Sequence, residues 1–541
     1  MITTNILALG LLGVSITFVV VSFLRSAFTE GLRDIPGPLG SRFLGIQRVR
    51  MTRSGDAPRH HRALHEKYGS VVRIAPGHVS ISDPAMVPVI YGINSKFTKK
   101  GKSQRAVTTK TRVELVAYLF YNVKKSMFYS LSDAYFDGRR METIFSTRSA
   151  EWHRFLRGRV SQLYSMSNLR GYEPYADECT AIFTRAMYEL QGQRIDFSEW
   201  LQWYAFDVIA CITFQRRFGF MEEKKDIGGM IEAIGAAFPY MATVGQLPFL
   251  HPWLRGNKKL MSLLKKMRPN TPNPMADILK ITEDEIARYD RQLYDKESTR
   301  TDFLAQLRAK EEKTGRMPHA DLVMHLSSNL LAGSDTTAIV LRACFYYLLK
   351  NPRCYTKLVA EIDEADASGR LSRFVSHEES LRLRYFQAAL KEVMRLHPGV
   401  ALILERIVPE GGMSVNNYYI PAGTNVGVNP AVIHHDKTIY GVDADDFRPE
   451  RWLEAGEDQI KAMDRNLLTF FLFKFGHGSR TCVGKNISLM EMGKFVPQIL
   501  RYFDVEWASD KSEWTAKAEW LWRQSDVFVR VYPRKGKEQF R

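Results

Sequence analysis

Cysteine is scarce: the chain has five in 541 residues, and no two stand in a Cys-x-x-Cys. That excludes a disulfide-stapled scaffold and a zinc-finger array. The interior also lacks a Gly/Ser-rich or Pro-rich linker, an internal repeat and a concentrated basic tract. Without linkers or repeats, one large domain behind a short N-terminal extension is expected. The missing basic tract matters because the net charge is +17 and the pI about 9.5. A nucleic-acid binder would gather that charge beside aromatics. Scattered charge suits an anionic membrane surface or an acidic protein partner instead, so no nucleic acid is expected as a partner.

Apolar material is plentiful, at 45% hydrophobic and 12% aromatic residues, enough for a large core. Ile6 to Leu24 carries no charged residue, and a bilayer core of about 30 Å needs roughly 20 such residues. Met1 to Asn5 has no basic side chain, and Arg25 and Arg33 follow the run. This reads as a transmembrane anchor rather than a cleaved leader, with the rest of the chain in the cytosol. Residues 1–34 are therefore expected to be anchor and linker, and 35–541 the catalytic domain. Ile35-Pro36-Gly37-Pro38 predicts a stiff turn between them.

Cys179, Cys211 and Cys344 sit among apolar residues and read as buried small hydrophobes, while Cys354 shows no role. Cys482 is different. It closes the stretch Phe475-Gly476-His477-Gly478-Ser479-Arg480-Thr481-Cys482-Val483-Gly484. Gly476, Gly478 and Gly484 let backbone pass close to a flat group. Arg480, and a following helix predicted from Ile487, Leu489, Met490 and Met492, would lower the thiol pKa. Phe475 would shield the sulfur from water. A phosphate loop would need a Gly-Lys-Ser/Thr ending, which is absent here.

Other motifs are weaker alone. Ala332-Gly333-Ser334-Asp335-Thr336-Thr337 interrupts a helix-period apolar run from Leu322 to Leu349 with poor helix formers, which invites local loosening. Glu392 and Arg395 stand at i and i+3 on one helix face, and Phe447-Arg448-Pro449-Glu450-Arg451-Trp452 follows. The pairs His60-His61 with His65, and His434-His435, lack an acidic second shell and are expected to be solvated or loop histidines rather than metal ligands.

The Cys482 stretch is Phe-x-x-Gly-x-Arg-x-Cys-x-Gly, complete at every fixed position, and with it the chain resembles the cytochromes P-450 from Ile35 to Val531. Ala134-Tyr135-Phe136-Asp137-Gly138-Arg139-Arg140 and the run from Arg395 through His397-Pro398-Gly399 to Leu402 resemble the fungal pisatin-demethylase-like group, whose enzymes often decorate secondary metabolites. The resemblance implies a mostly α fold with small β-sheets, preceded here by the N-terminal transmembrane helix. It implies haem b (iron protoporphyrin IX) with Cys482 as axial ligand, in a loop that includes Phe475, Gly478 and Gly484. It implies that Arg480, Arg157, His153 and Arg406 hold the propionates, with Trp152 as a neighbouring donor. Glu392, Arg395 and Arg451 become a structural triad, and Asp335 and Thr336 the residues that handle protons for oxygen chemistry.

The implied reaction inserts one oxygen atom from O2 into a hydrophobic small molecule. The chain ends about 60 residues after Cys482, so electrons are expected from a separate NADPH-cytochrome P-450 reductase, with cytochrome b5 as an accessory donor. The expected setting is the endoplasmic reticulum membrane. Pocket walls are expected from Phe238 to Met241, Asn329 to Ala332, Val400 to Leu404 and a turn at Gln524 to Asp526. A haem-thiolate peroxide rearrangement enzyme is the second enzymatic reading, and retention of Asp335-Thr336 weighs against it. One departure from the family is about 25 extra residues, Gly101 to Lys125, with six basic side chains against Glu114. A translated intron, a lineage-specific loop, and in the first case an inactive haem-free product are the readings open for it.

Overall fold

The computed structural model describes residues 27–92, 128–136, 139–254, 257–267, 274–292, 300–400, 402–464, 478–537 and 539, with a few positions between 17 and 25. The expected anchor Ile6–Leu24 lies almost wholly outside them, and Gly101–Lys125, Phe475 and Gly476 lie entirely outside. Ala27, Leu32 and Ile35 are buried, so the end of the expected linker already packs on the domain. The Pro-Gly-Pro turn docks there too: Arg73 N–H donates to Pro36 O at 2.8 Å, and a Cβ on Gly37 would lie 2.3 Å from Arg73 O.

The domain is mostly helical. Seven of its helices position the site: α1 (Ala150–Val160), α2 (Met166–Glu189), α3 (Phe197–Phe214), α4 (Met230–Gly245), α5 (His319–Lys350), α6 (Arg384–Leu396) and α7 (Lys485–Tyr502). α5 is the axis. From Thr337 to Tyr346 every residue is buried, as are Trp203 to Phe214 on α3. A helix apolar on all sides must lie inside the core. α3 and α5 approach closely because Gly333 has no side chain; a Cβ there would fall 2.6 Å from Ile209 Cγ1. The loosening expected around Gly333 does not break the helix. Ser334 and Thr336 hydroxyls donate back to Leu330 O (2.9 Å) and Ala332 O (2.7 Å), so the polar side chains are satisfied within their own turn.

Small sheets flank this core. β1 (Val71–Ala75), β2 (His78–Ile81), β3 (Arg406–Ile407) and β4 (Asn425–Val428) form one sheet in the order β1-β2-β4-β3, with β2 parallel to β4. β5 (Thr515–Ala518) and β6 (Trp522–Ser525) make a hairpin. The late strand Phe528–Pro533 pairs with Phe503–Trp507 and with Ile195–Asp196. Among the described residues one stretch, Ile227–Gly245, is long and apolar enough to cross a membrane. It turns at Gly228 (φ 63°), and its α4 part packs on the helices Ile46–Arg53 and Pro274–Gln292 of the domain.

The histidine expectation is corrected. His61, His65 and His434 are buried, not solvated. His65 bonds Gly69 O and Ser80 Oγ at 2.9 and 2.7 Å, and His434 Nδ1 donates to Arg395 O at 3.0 Å. Burial pushes the pKa of both down, so they are neutral packing residues. Among the described residues no group of three metal-ligating side chains occurs.

Candidate active site

Cys482 follows a short 3-10 turn, Gly478–Arg480, and precedes α7. Gly478 has φ 67°, a backbone that glycine adopts without strain. Gly484 is the N-cap of α7, and the backbone N–H groups of Gly484 and Lys485 point at the Cys482 sulfur. Burial pushes the thiol pKa up; those two amides, at the positive end of α7, and the Arg157 guanidinium oppose it. Yet the side chain keeps exposed surface. Both hold for a group that faces an internal hollow rather than bulk water. A Cβ added at Gly484 would meet only Cys482 Sγ and Tyr164 Cε1, each at 3.9 Å, which leaves room for a flat group beside the sulfur.

Three arginines gather next to this loop. Arg157, on α1, donates to Thr481 O. Arg480 donates to Thr147 O (3.0 Å) and Ser149 O (3.2 Å). Arg406, on β3, donates to the buried Tyr129 hydroxyl at 2.9 Å and stands 4.8 Å from the Tyr91 ring. Among the described residues none of the three has an ion pair. Burial, and then the charges of Arg406 and Arg157, push Arg480 down to about 10. Cations held this close without a carboxylate suit a dianionic ligand. His153 is buried on the inner side of α1 with Leu156 and Val160, whereas Trp152 faces outward and stacks on Phe155 at 4.8 Å.

Opposite, α5 is open at one strip. Ala332 is exposed and Leu331, Gly333 and Thr336 are half-buried, between residues that are buried at Asn329 and Leu330 and from Thr337 to Tyr346. Asp335 is buried; one oxygen accepts from Gln202 Nε2 on α3, and Oδ2 has no partner. Burial raises its pKa, against the pull of Arg523 and Arg342. Arg342 donates to Ser198 O (2.9 Å) and to Gln202 Oε1 (2.5 Å), so it holds the amide that holds the acid. Two links tie this helix to the cysteine side. Thr337 and Ser488 hydroxyls bond at 3.0 Å, and Tyr164, beside Cys482, donates to Asn329 Oδ1 at 3.0 Å.

Glu392, Arg395 and Arg451 meet at full burial. Arg395 grips Glu392 at 2.8 and 2.9 Å, and Arg451 Nε donates at 2.8 Å. Trp452 Nε1 (2.8 Å) and Arg448 N–H (3.1 Å) complete the carboxylate's shell. Burial alone would raise the Glu392 pKa; Arg395 and Arg451 outweigh it and hold it down. The two guanidiniums also clamp the meander before the cysteine loop, through His434 O and Ala444 O (both 2.6 Å) and Asp443 O (2.9 Å).

The residues present fit a haem bound through a thiolate: a sulfur under two amides, an unanswered cation cluster, and an open strip on the facing helix. Gln202, Arg342, Tyr129 and Trp452 belong to the same framework and were not singled out as functional from the sequence. For Gln202 and Arg342 the sequence signal is a polar residue inside an apolar stretch; Trp452 closes the Phe447-Arg448-Pro449-Glu450-Arg451-Trp452 motif.

This is the architecture of a haem-thiolate oxidoreductase. The chain belongs to the cytochrome P450 family, whose model matches residues 118–528. It is 36% identical over 513 residues to the cytochrome P450 monooxygenase cicH of Emericella nidulans, covering 93% of this chain and 94% of that protein. It is 33% identical over 518 residues to mpaDE of Penicillium brevicompactum, covering 94% of this chain and 56% of that longer protein. To the pisatin demethylase of Fusarium vanettenii it is 32% identical over 508 residues, 92% of this chain and 88% of that enzyme. It is thus a monooxygenase of fungal type, a family that uses O2 and a redox partner.

Proposed function

We propose that the chain is a membrane-anchored monooxygenase that inserts one oxygen atom from O2 into a hydrophobic small molecule of fungal secondary metabolism or detoxification. The cofactor is haem b, electrons come from an NADPH-cytochrome P-450 reductase (with cytochrome b5 as accessory donor), and Ile6–Leu24 holds the domain on the cytosolic face of the endoplasmic reticulum. The observation that carries the reading is the pairing of Cys482, under the Gly484 and Lys485 amides, with the arginine cluster beside it.

When bound, the haem-thiolate group supplies the oxygen activation, favoured by electron density from the sulfur. Cys482 is the ligand, and Arg157, Arg406, Arg480 and His153 hold the propionates. Gly478 and Gly484 shape the loop, and Phe475, outside the described residues, is the proposed shield of the sulfur. Thr336 already donates its proton to Ala332 O, so its oxygen is left to accept from water. Asp335 has an unpartnered oxygen and a raised pKa, and it passes protons to the same place. The Glu392–Arg395–Arg451 group keeps the cysteine loop in register.

Replacing Thr336 with Ala is expected to leave NADPH consumption running while product per NADPH falls several-fold and peroxide rises. Thr336→Ser should restore coupling; coupling unchanged in Thr336→Ala counts against the role. Gly101–Lys125 is proposed to be a translated intron, and one experiment addresses it together with the enzyme class. The reduced, carbon-monoxide difference spectrum of the full chain is recorded beside a chain lacking Gly101–Lys125. A strongly red-shifted Soret band in the shortened chain alone supports both proposals; the band in both chains keeps the enzyme and makes the segment a tolerated loop. No such band in either chain overturns the function.

A further inference from the structure

A cation stands beside α5 that, among the described residues, has no ion-pair partner. Arg523 lies on β6, the strand that Gln524 holds over α5 by donating from Nε2 to Ile339 O at 2.9 Å. Alternate side chains leave a strand on opposite faces, so Arg523 is turned toward α4. There its guanidinium sits 5.3 Å from the Phe238 ring. Gly235 makes the room: a Cβ at that position would fall 3.0 Å from Arg523 Nη1 and 3.3 Å from Nη2. The arginine is half-buried, and among the described residues its guanidinium makes no hydrogen bond and no ion pair.

Arg523 nonetheless stands near enough to α5 for Asp335 and Arg342 to feel its charge. Its strand is held on α5 through Gln524 and its guanidinium lies against Gly235 and Phe238 of α4, so it stands between those two helices. Asp335 does not neutralise it: no ion pair joins them, and one carboxylate oxygen is already taken by Gln202. The surrounding wall is apolar and aromatic. Leu521 bridges to Val400, and Trp520 stands 4.5 Å from the Phe128 ring. A cation–π contact with Phe238 offsets only part of what a guanidinium loses on leaving water.

We propose that the substrate is an apolar molecule bearing a carboxylate, which Arg523 holds by paired hydrogen bonds across its guanidinium face. The inference rests on the reading of this site as a monooxygenase pocket and deepens it. An anchored carboxylate would fix which carbon faces the cofactor, whereas an apolar wall alone would let the molecule slide.

The test is a ligand titration of the holoenzyme by the shift of its Soret band, in the full chain or, where only that one gives the carbon-monoxide band, in the chain lacking Gly101–Lys125. The probes are 4-phenylbutanoate, dodecanoate and 2-naphthoate, each beside its methyl ester. In the unmodified enzyme at least one acid should bind about tenfold more tightly than its ester. Arg523→Gln should weaken that acid by about 30-fold or more, as expected when one partner of a buried charge pair is removed, and shift ester binding little. Arg523→Lys should retain part of the preference. If no pair shows an acid preference, or the preference survives Arg523→Gln, the inference is overturned. The carbon-monoxide spectrum of the unmodified enzyme separates the two levels: a red-shifted band with no acid preference sinks the inference alone, and no band in either the full chain or the chain lacking Gly101–Lys125 sinks the monooxygenase reading with it.

Discussion

Replacing Cys482 with Ala is expected to abolish the red-shifted carbon-monoxide band and all monooxygenase turnover while leaving a folded domain. No other sulfur can take its place. Cys179, Cys211, Cys344 and Cys354 are buried in the hydrophobic core, at 1% exposure or less. Cys482 alone presents exposed surface, and it alone receives two first-turn amides. Its removal deletes the ligand but little packing, because Cys482 is exposed where the other four cysteines are buried. Far-UV circular dichroism should therefore stay unchanged while the band is lost. Cys482→Ser should behave the same way, since a hydroxyl at neutral pH is not an anionic donor. A red-shifted band that persists in either variant would place the thiolate elsewhere and overturn the assignment.

Much of this site could be read before any coordinates, and the reason is local. The cysteine loop, the start of the helix after it and the Glu-x-x-Arg turn are each local in sequence, so spacing alone carries much of their geometry. α7 begins at Lys485, where the apolar period predicts a helix. Val71-Val72-Arg73-Ile74 and Val79-Ser80-Ile81-Ser82 are strand-like in the sequence itself, and they become β1 and β2 with ends moved by no more than one residue. What stayed hidden depends on partners far along the chain. β3 is two residues long and exists because β4 pairs with it. Gln524, expected in a turn, is instead a buried strand residue because Ile339 O is there to accept from it. Gln202 could not be matched to Asp335, 133 positions away, by any period. The histidines misled for a related reason: adjacent polar residues suggest solvent until a carbonyl such as Arg395 O, held by another element, satisfies them inside.

Glu392→Ala, the second change with a large effect, should yield protein with little or no haem. The substitution removes the carboxylate that answers two fully buried guanidiniums, and breaking a buried charge network in this way costs about 3–5 kcal/mol. That is a large share of the stability of an ordinary domain. The loss also spreads along the chain. Arg395 and Arg451 are the groups that hold His434, Ala444 and Asp443 carbonyls in place, and they are oriented by Glu392. Once they are released, the meander leading to the cysteine loop loses its register. Arg395→Ala should fail similarly, and Glu392→Gln less completely, since an amide keeps one acceptor for Arg395 or Arg451. The pH dependence carries a sign as well. The Glu392 pKa is depressed in the folded protein, so its contribution is present above the ordinary carboxylate value and is lost as pH falls through the depressed one. Stability of the unmodified protein should therefore fall steeply in acid, and the acid limb of Glu392→Gln should be flatter. Holoprotein yield, read from the Soret absorbance per chain, decides the matter. A normal yield from Glu392→Ala or Arg395→Ala would show that this buried cluster is not what holds the haem-binding loop.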